Sequence, residues 1–266
     1  MPYCQTPGLR IYYERKGTGD PLLFISGTGS DLRNTPNFLD GPAPEQFDTL
    51  AYDQRGLGQT EKPDTPYSMA DYADDAAALM DAIGWESANV IGVSFGGMVA
   101  QELALRHGAR LRRLVLACTS PGGKGGASYP LHEVQDMDPV ERAKFMIPIS
   151  DTRHDADWAA ANADTYEMMV SMTASDPYRD EPGHVMGAQR QLEARRHHDT
   201  WNRLGGIACP ALICGGKYDG IALPETQAKM EERIPGATRR MFEGGHLFML
   251  QDRTAIPAML AFLQQT

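Results

Sequence analysis

The chain has 266 residues, enough for one sizeable core with room for an inserted subdomain. Its 42% hydrophobic and 23% charged content is that of a globular protein, and the net charge of −10 disfavours nucleic acid or anionic membrane surfaces as partners. No apolar run approaches a membrane span and residues 1–17 lack a secretory pattern, so a cytoplasmic protein is expected.

An opening hairpin is expected over residues 2–5 and 9–15, turned by Thr6-Pro7-Gly8. PLLFIS (21–26) reads as a buried strand running straight into GTGSD. DTLAYD (48–53) is another, followed by the loop QRGLGQTEKPDTP. Over 68–83, Met69, Tyr72, Ala76, Leu79, Met80 and Ile83 share one helical face, and Gly84 can stop the helix. ANVIGV (88–93) is a strand, 97–107 a helix closed by Gly108, and RRLVLACTS (112–120) a strand.

The alternation stops between 121 and 206. A flexible SPGGKGGASYP stretch leads into helical patterns over 139–146, 155–173 and 184–204. CPALICGG (209–216) resumes the strands, followed by a helix over 224–234, the strand ATRRMFEGG (237–245) and a helix over 254–263. Strands alternating with helices predict an α/β fold, a mostly parallel eight-stranded sheet flanked by helices. The expected division is a core domain of 1–120 and 207–266 and a helical cap subdomain of 121–206, inserted after the sixth strand. Cys4, Cys118, Cys209 and Cys214 form no CxxC pair and read as small apolar residues, not a zinc or disulfide framework.

The chemistry is concentrated in Gly92-Val93-Ser94-Phe95-Gly96, a GxSxG between a strand and a helix. A serine at the apex of so sharp a turn is strained, and glycines on either side remove β-carbons that would clash across it. A hydroxyl needs a base, and the base an orienting acid. Asp219 follows the strand ALICGG and His246 follows RRMFEGG, both just past a strand's carboxyl end. A tetrahedral intermediate also needs donors. The Phe95 N–H is one candidate, and Thr28, in the Ser26-Gly27-Thr28-Gly29-Ser30 turn, is the other. The remaining histidines read differently. His107 ends a helix, and His197 and His198 lie in the charged run EARRHHD with a solvated or capping role. His132, His154 and His184 belong to the cap, where one could touch substrate.

With these pieces on the page, the chain resembles the α/β-hydrolase fold family over nearly its whole length, through ISGTG, AYDQRGLGQTEKP, VIGVSFGG, ICGGKYDGIALP and EGGHLFML. Within it, the chain is most similar to the cap-bearing branch of 3-oxoadipate enol-lactonases, esterases and cofactor-free haloperoxidases. The resemblance implies a Ser94–His246–Asp219 triad in the order Ser…Asp…His, and the loop 119–122, where some relatives keep the acid, offers none. One departure is Ser26-Gly27 where the family has His-Gly, which bears on the second oxyanion donor. Asp53 and Arg55 of DQRG take a supporting role.

The expected activity is hydrolysis of a carboxylic ester or lactone of a small, largely apolar molecule, with no cofactor or metal. Met146, Trp158, Met168 and Met172 are the candidate substrate contacts from the cap, and Gly27 and Leu247 those beside the triad. Arg190, Arg195 and Arg196 are placed to pair with a substrate carboxylate or to form a solvated helix face, the second being the favoured reading, which leaves a dicarboxylate-like lactone open without favouring it. Rivals on the same triad are a carbon–carbon bond hydrolase, a perhydrolase and a ligand receptor that retains it. Oligomeric state, monomer or homodimer, is left open.

Overall fold

A computed structural model describes residues 2–265. In chain order it contains β1 (Tyr3–Gln5), β2 (Arg10–Lys16), β3 (Pro21–Ile25), β4 (Asp48–Tyr52), α1 (Met69–Ala82), β5 (Ala88–Val93), α2 (Phe95–Arg106) and β6 (Leu111–Ala117). Then come α3 (Pro139–Ser150), α4 (Ala156–Ala161), α5 (Ala163–Ala174) and α6 (His184–Arg196). The chain closes with β7 (Ala211–Gly216), α7 (Pro224–Arg233), β8 (Thr238–Phe242), α8 (Phe248–Gln251) and α9 (Ala255–Leu263).

One eight-stranded sheet runs β1-β2-β4-β3-β5-β6-β7-β8. β2 is antiparallel to both its neighbours, β1 and β4, and every pairing from β4 to β8 is parallel. The central strands are apolar on both faces because helices cover both, and their side chains alternate between two cores. Leu23, Val90, Leu116 and Ile213 face the core closed by α1 and α2. Leu22, Ile91, Val115 and Leu212 face the one closed by α9. α1 begins where its sequence says it should. The Ser68 hydroxyl accepts from Asp71 N (3.2 Å) and the Asp71 carboxylate from Ser68 N (2.8 Å), a reciprocal cap. Among the described residues no helix is long and apolar enough to cross a membrane, and all four cysteines are free.

Several boundaries differ from expectation, each for a local reason. α2 starts at Phe95 rather than at 97, because the turn at Ser94 is completed within one residue. The helix expected over 155–173 is two, broken at Asn162 (φ −129°, ψ 43°), whose amide donates to the Trp158 carbonyl at 2.9 Å. α3 passes through Pro148 to Ser150. α6 stops at Arg196 rather than 204, because the following residues turn back onto the core: Thr200 N donates to Pro121 O (2.8 Å) and Asp199 bridges Gly122. The four-residue α8 has too short a period to be legible in sequence.

β6 and β7 are neighbours in the sheet yet separated in sequence by α3 to α6. The insert is tied back at several points. The Arg33 guanidinium, on the loop after β3, bonds both Glu181 oxygens (2.6 and 2.9 Å) and lies 3.5 Å over the Tyr178 ring.

Candidate active site

Ser94 stands directly after β5 with φ 55° and ψ −115°, a left-handed conformation that a residue with a β-carbon adopts only at a cost of about 1–3 kcal/mol. What holds it there is the absence of side chains around it. A β-carbon on Gly92 would fall 2.4 Å from Gly96 O, and one on Gly96 would fall 2.0 Å from Ile25 O. The turn therefore closes only with glycine at both places. Ser94 O accepts from the Thr119 hydroxyl (2.8 Å) and from Gly97 N (3.0 Å), which pins the backbone and turns the side chain outward.

The sheet order brings the other two groups in. Asp219 and His246 lie on the loops after β7 and β8, at the same carboxyl edge as Ser94, where ligands gather in parallel sheets. His246 Nε2 is 2.9 Å from Ser94 Oγ, and its Nδ1 is 2.9 Å from Asp219 Oδ2 and 3.1 Å from Oδ1. A carboxylate only accepts, so Nδ1 carries the imidazole proton and Nε2 presents its lone pair to the serine hydroxyl. The Asp219 side chain is fully buried, and its Oδ1 also accepts from Ile221 N (2.8 Å) and Ala222 N (2.9 Å). Its orientation is thus set by three groups at once. Asp53 and Arg55 lie away from the triad. Asp53 accepts from Leu32 N and Gln59 N, with burial pushing its carboxyl up to about 6, and Arg55 pairs with Asp75 of α1 (2.7 Å).

The loop after β3 sits against Ser94. A β-carbon on Gly27 would be 3.5 Å from Ser94 Cβ. Neither Thr28 N nor Phe95 N donates to another backbone or side-chain group among the described residues, so both remain free to receive an anion. Ser26 O accepts from Gln54 Nε2 (2.8 Å), and Gly29 N donates to Gln191 Oε1 (2.9 Å) on α6. These two supports escaped sequence reasoning because a buried glutamine reaching across the fold leaves no periodic signal.

So did a third. The carboxyl end of α3 braces the loops that carry Asp219 and His246: His246 N donates to Ser150 O (2.6 Å) and Gly220 N to Ile149 O (3.0 Å). Behind them, Gly245 N donates to Gln251 Oε1 (2.8 Å), and Gln251 Nε2 to Asp151 Oδ2 (2.9 Å). Burial of Asp151 works against its charge, but bonds from Arg153 and Gln251 outweigh it and hold the carboxyl below its ordinary value.

Beside the loop after β3 lies a cavity of about 900 Å³ whose wall includes Thr28, Met137, Met146, Met172, His184 and Leu192. It meets the triad region through Thr28 and Gly29; Ser94 and His246 are not on its wall. Of the expected contacts, Met146 and Met172 line it, while Trp158 packs against His154, ring centroids 4.1 Å apart and planes tilted by 33°, and is not on the wall. Met168 and Leu247 are also off it, both more than half exposed. Two sequence expectations need correction. Arg195 and His198 are not solvated: they are 6% and 7% exposed, because α6 turns this face onto the core. His132 lines a second, smaller cavity beside them.

The model of the α/β hydrolase fold family matches residues 20–252. Among curated proteins the chain is similar to a poly(3-hydroxyalkanoate) depolymerase of Ectopseudomonas oleovorans, 28% identical over 92% of this chain and 84% of that one. It is similar, too, to the dihydrolipoyllysine-residue acetyltransferase component of the acetoin cleaving system of Cupriavidus necator, 39% identical over 97% of this chain and 67% of that one. Among solved structures, an enol-lactonase of Burkholderia xenovorans matches with a TM-score of 0.80 and 25% identity over 99% of this chain and all of that one.

Proposed function

The chain belongs to the α/β-hydrolase fold family, and from that premise we propose that it hydrolyses carboxylic esters or lactones through a serine acyl-enzyme. One observation carries the reading: Ser94 Oγ, His246 and Asp219 form a continuous hydrogen-bonded chain with 2.9 Å at both of its junctions. His246 Nε2 takes the Ser94 proton as Oγ attacks the acyl carbon, and Asp219 stabilises the imidazolium that forms. The Phe95 and Thr28 N–H groups take the charge that develops on the carbonyl oxygen. The proton on Nε2 then goes to the leaving oxygen. Water, deprotonated by the same nitrogen, breaks the acyl–serine bond, and Ser94 regains its proton.

Residues 121–206 serve as a cap over the substrate, with Met146 and Met172 as an adaptable apolar wall. The similarity to a depolymerase of hydroxyacid esters and to an enol-lactonase supports an ester or lactone over an amide. The test is turnover of p-nitrophenyl esters and of lactones, with fluorophosphonate labelling mapped by mass spectrometry. We expect label on Ser94 alone, and a drop of roughly 10⁴- to 10⁶-fold in kcat for Ser94→Ala. Label on another residue, or turnover that survives Ser94→Ala, would refute the assignment.

A further inference from the structure

Two glutamines reach the loop after β3 from different parts of the chain. Gln54, just past β4, donates from Nε2 to Ser26 O (2.8 Å), and Gln191 of α6 accepts at Oε1 from Gly29 N (2.9 Å). Both are out of water, at 1% and 0% exposure. Each bonds through one end of its amide only: Gln54 Oε1 and Gln191 Nε2 are buried and have no partner among the described residues. The bond made by each amide fixes its orientation, because a backbone carbonyl only accepts and a backbone N–H only donates. A third buried glutamine, Gln227, behaves in the same way on the loop of Asp219, donating to Ala222 O (2.9 Å) with its Oε1 unpartnered.

A half-bonded amide in the interior works against stability, since its unpaired end has lost water and gained nothing. Gln101 shows the other arrangement. It is equally buried, yet its Nε2 donates to Gly97 O and Ser120 O (both 3.1 Å) and its Oε1 accepts from the Thr200 hydroxyl (2.6 Å). Nor does the loop after β3 need its two bonds for its own sake. Gly29 is exposed and Ser26 only partly buried, so backbone groups released there can turn to water.

What the two bonds supply is position. Thr28 stands between Gly27 and Gly29, and a stretch so rich in glycine has wide backbone freedom. The turn's own bond, Ser30 N to Gly27 O, is long at 3.4 Å. The glutamines hold residues 26 and 29, the two ends of the segment that carries Thr28 N, and Gly27 within it packs against Ser94. We propose that Gln54 and Gln191 are positioning residues for the oxyanion hole: they fix Thr28 N where the carbonyl oxygen gains charge, and the protein gives up some stability to keep them. Because α6 belongs to the insert between β6 and β7, the hole is complete only when the insert is seated. The proposal rests on the hydrolase reading above.

The experiment measures turnover of p-nitrophenyl hexanoate, Tm and inhibition for wild type, Gln54→Met and Gln191→Met, substitutions that keep side-chain length and remove the amide. In both variants kcat should fall roughly 10- to 30-fold at nearly constant KM, while Tm holds or rises. Pentyl trifluoromethyl ketone, whose adduct with Ser94 places an oxyanion in the hole, should lose affinity by the same factor as kcat/KM. Hexanoate, the product, should not. Gln191→Glu still offers Gly29 N an acceptor, so part of kcat should return even though a buried carboxyl lowers its Tm. Rate and stability then move in opposite directions in both Gln191 variants, which a residue that merely packs the fold does not allow. Ketone affinity within about 2-fold of wild type in both methionine variants would refute the positioning role, and a Tm that falls in both would refute the sacrifice of stability. Ser94-dependent turnover by wild type would in either case leave the hydrolase reading standing. A wild-type protein that neither turns over the ester nor binds the ketone would overturn that reading, and this proposal with it.

Discussion

At the scale of single residues, the site works because each polar group has a defined partner, so a change that keeps shape but alters the partner is informative. Asp219→Asn preserves volume and can still accept from Ile221 N and Ala222 N, but its amide cannot stabilise an imidazolium. We expect kcat to fall about 10⁴-fold with little change in Tm; a Tm loss without that kcat loss would contradict the orienting role. His198 offers a second test, through pH. Burial, helped by the Arg203 cation, holds it down to about 4, from an ordinary value of 6.5, against weaker upward pulls from the bond to Ser120 O and from Glu102 and Asp199. Between these values the unfolded chain binds a proton that the folded chain refuses, so stability is intact above pH 6.5 and falls as the pH drops toward 4. The slope is about 1.4 kcal/mol per pH unit, or roughly 3 kcal/mol over the interval. Urea melts at pH 7 and 4 should show that excess loss in wild type and not in His198→Asn; parallel losses would mean that the folded chain takes up the His198 proton as readily as the unfolded one.

At the scale of elements, the catalytic loops owe their placement to neighbours that the motifs do not include. The carboxyl end of α3 accepts from His246 N, and Gln251 of α8 links Gly245 N to the Asp151 carboxylate. Gln251→Leu removes both links while leaving the triad chemically complete. We expect kcat and the rate of fluorophosphonate labelling to fall together by about 10-fold, with KM nearly unchanged. A raised KM at normal labelling rate would show instead that α8 shapes the substrate pocket. The strands and α1 were legible because period-2 and period-3.6 apolar patterns and the Ser68–Asp71 cap are local signals. The break at Asn162 and the early end of α6 were not, because contacts with Trp158 and with Pro121 decide them.

At the scale of the whole molecule, the insert between β6 and β7 is held against the sheet domain by a few polar contacts, with Arg33 the densest of them. It bonds Asp31 and Glu181 and covers the Tyr178 ring, and Asp31 and Tyr178 both line the 900 Å³ cavity. Arg33→Ala should loosen that edge, raising KM about 2- to 5-fold and speeding amide exchange in residues 175–183, with kcat less affected. Unchanged exchange there would show that apolar packing alone seats the insert. The alternation of strands and helices could be read from the chain alone, and so could Ser94, Asp219 and His246 as candidates at strand ends, since each depends on spacing along one stretch. Which polar groups meet across the fold depends on tertiary contacts instead: Gln191 on Gly29, Ser150 on His246, and Arg195 on Ser128 and Tyr129. In sequence Arg195 is one charge among several on a polar helix; only packing of the whole chain, which local pattern does not encode, leaves it 6% exposed.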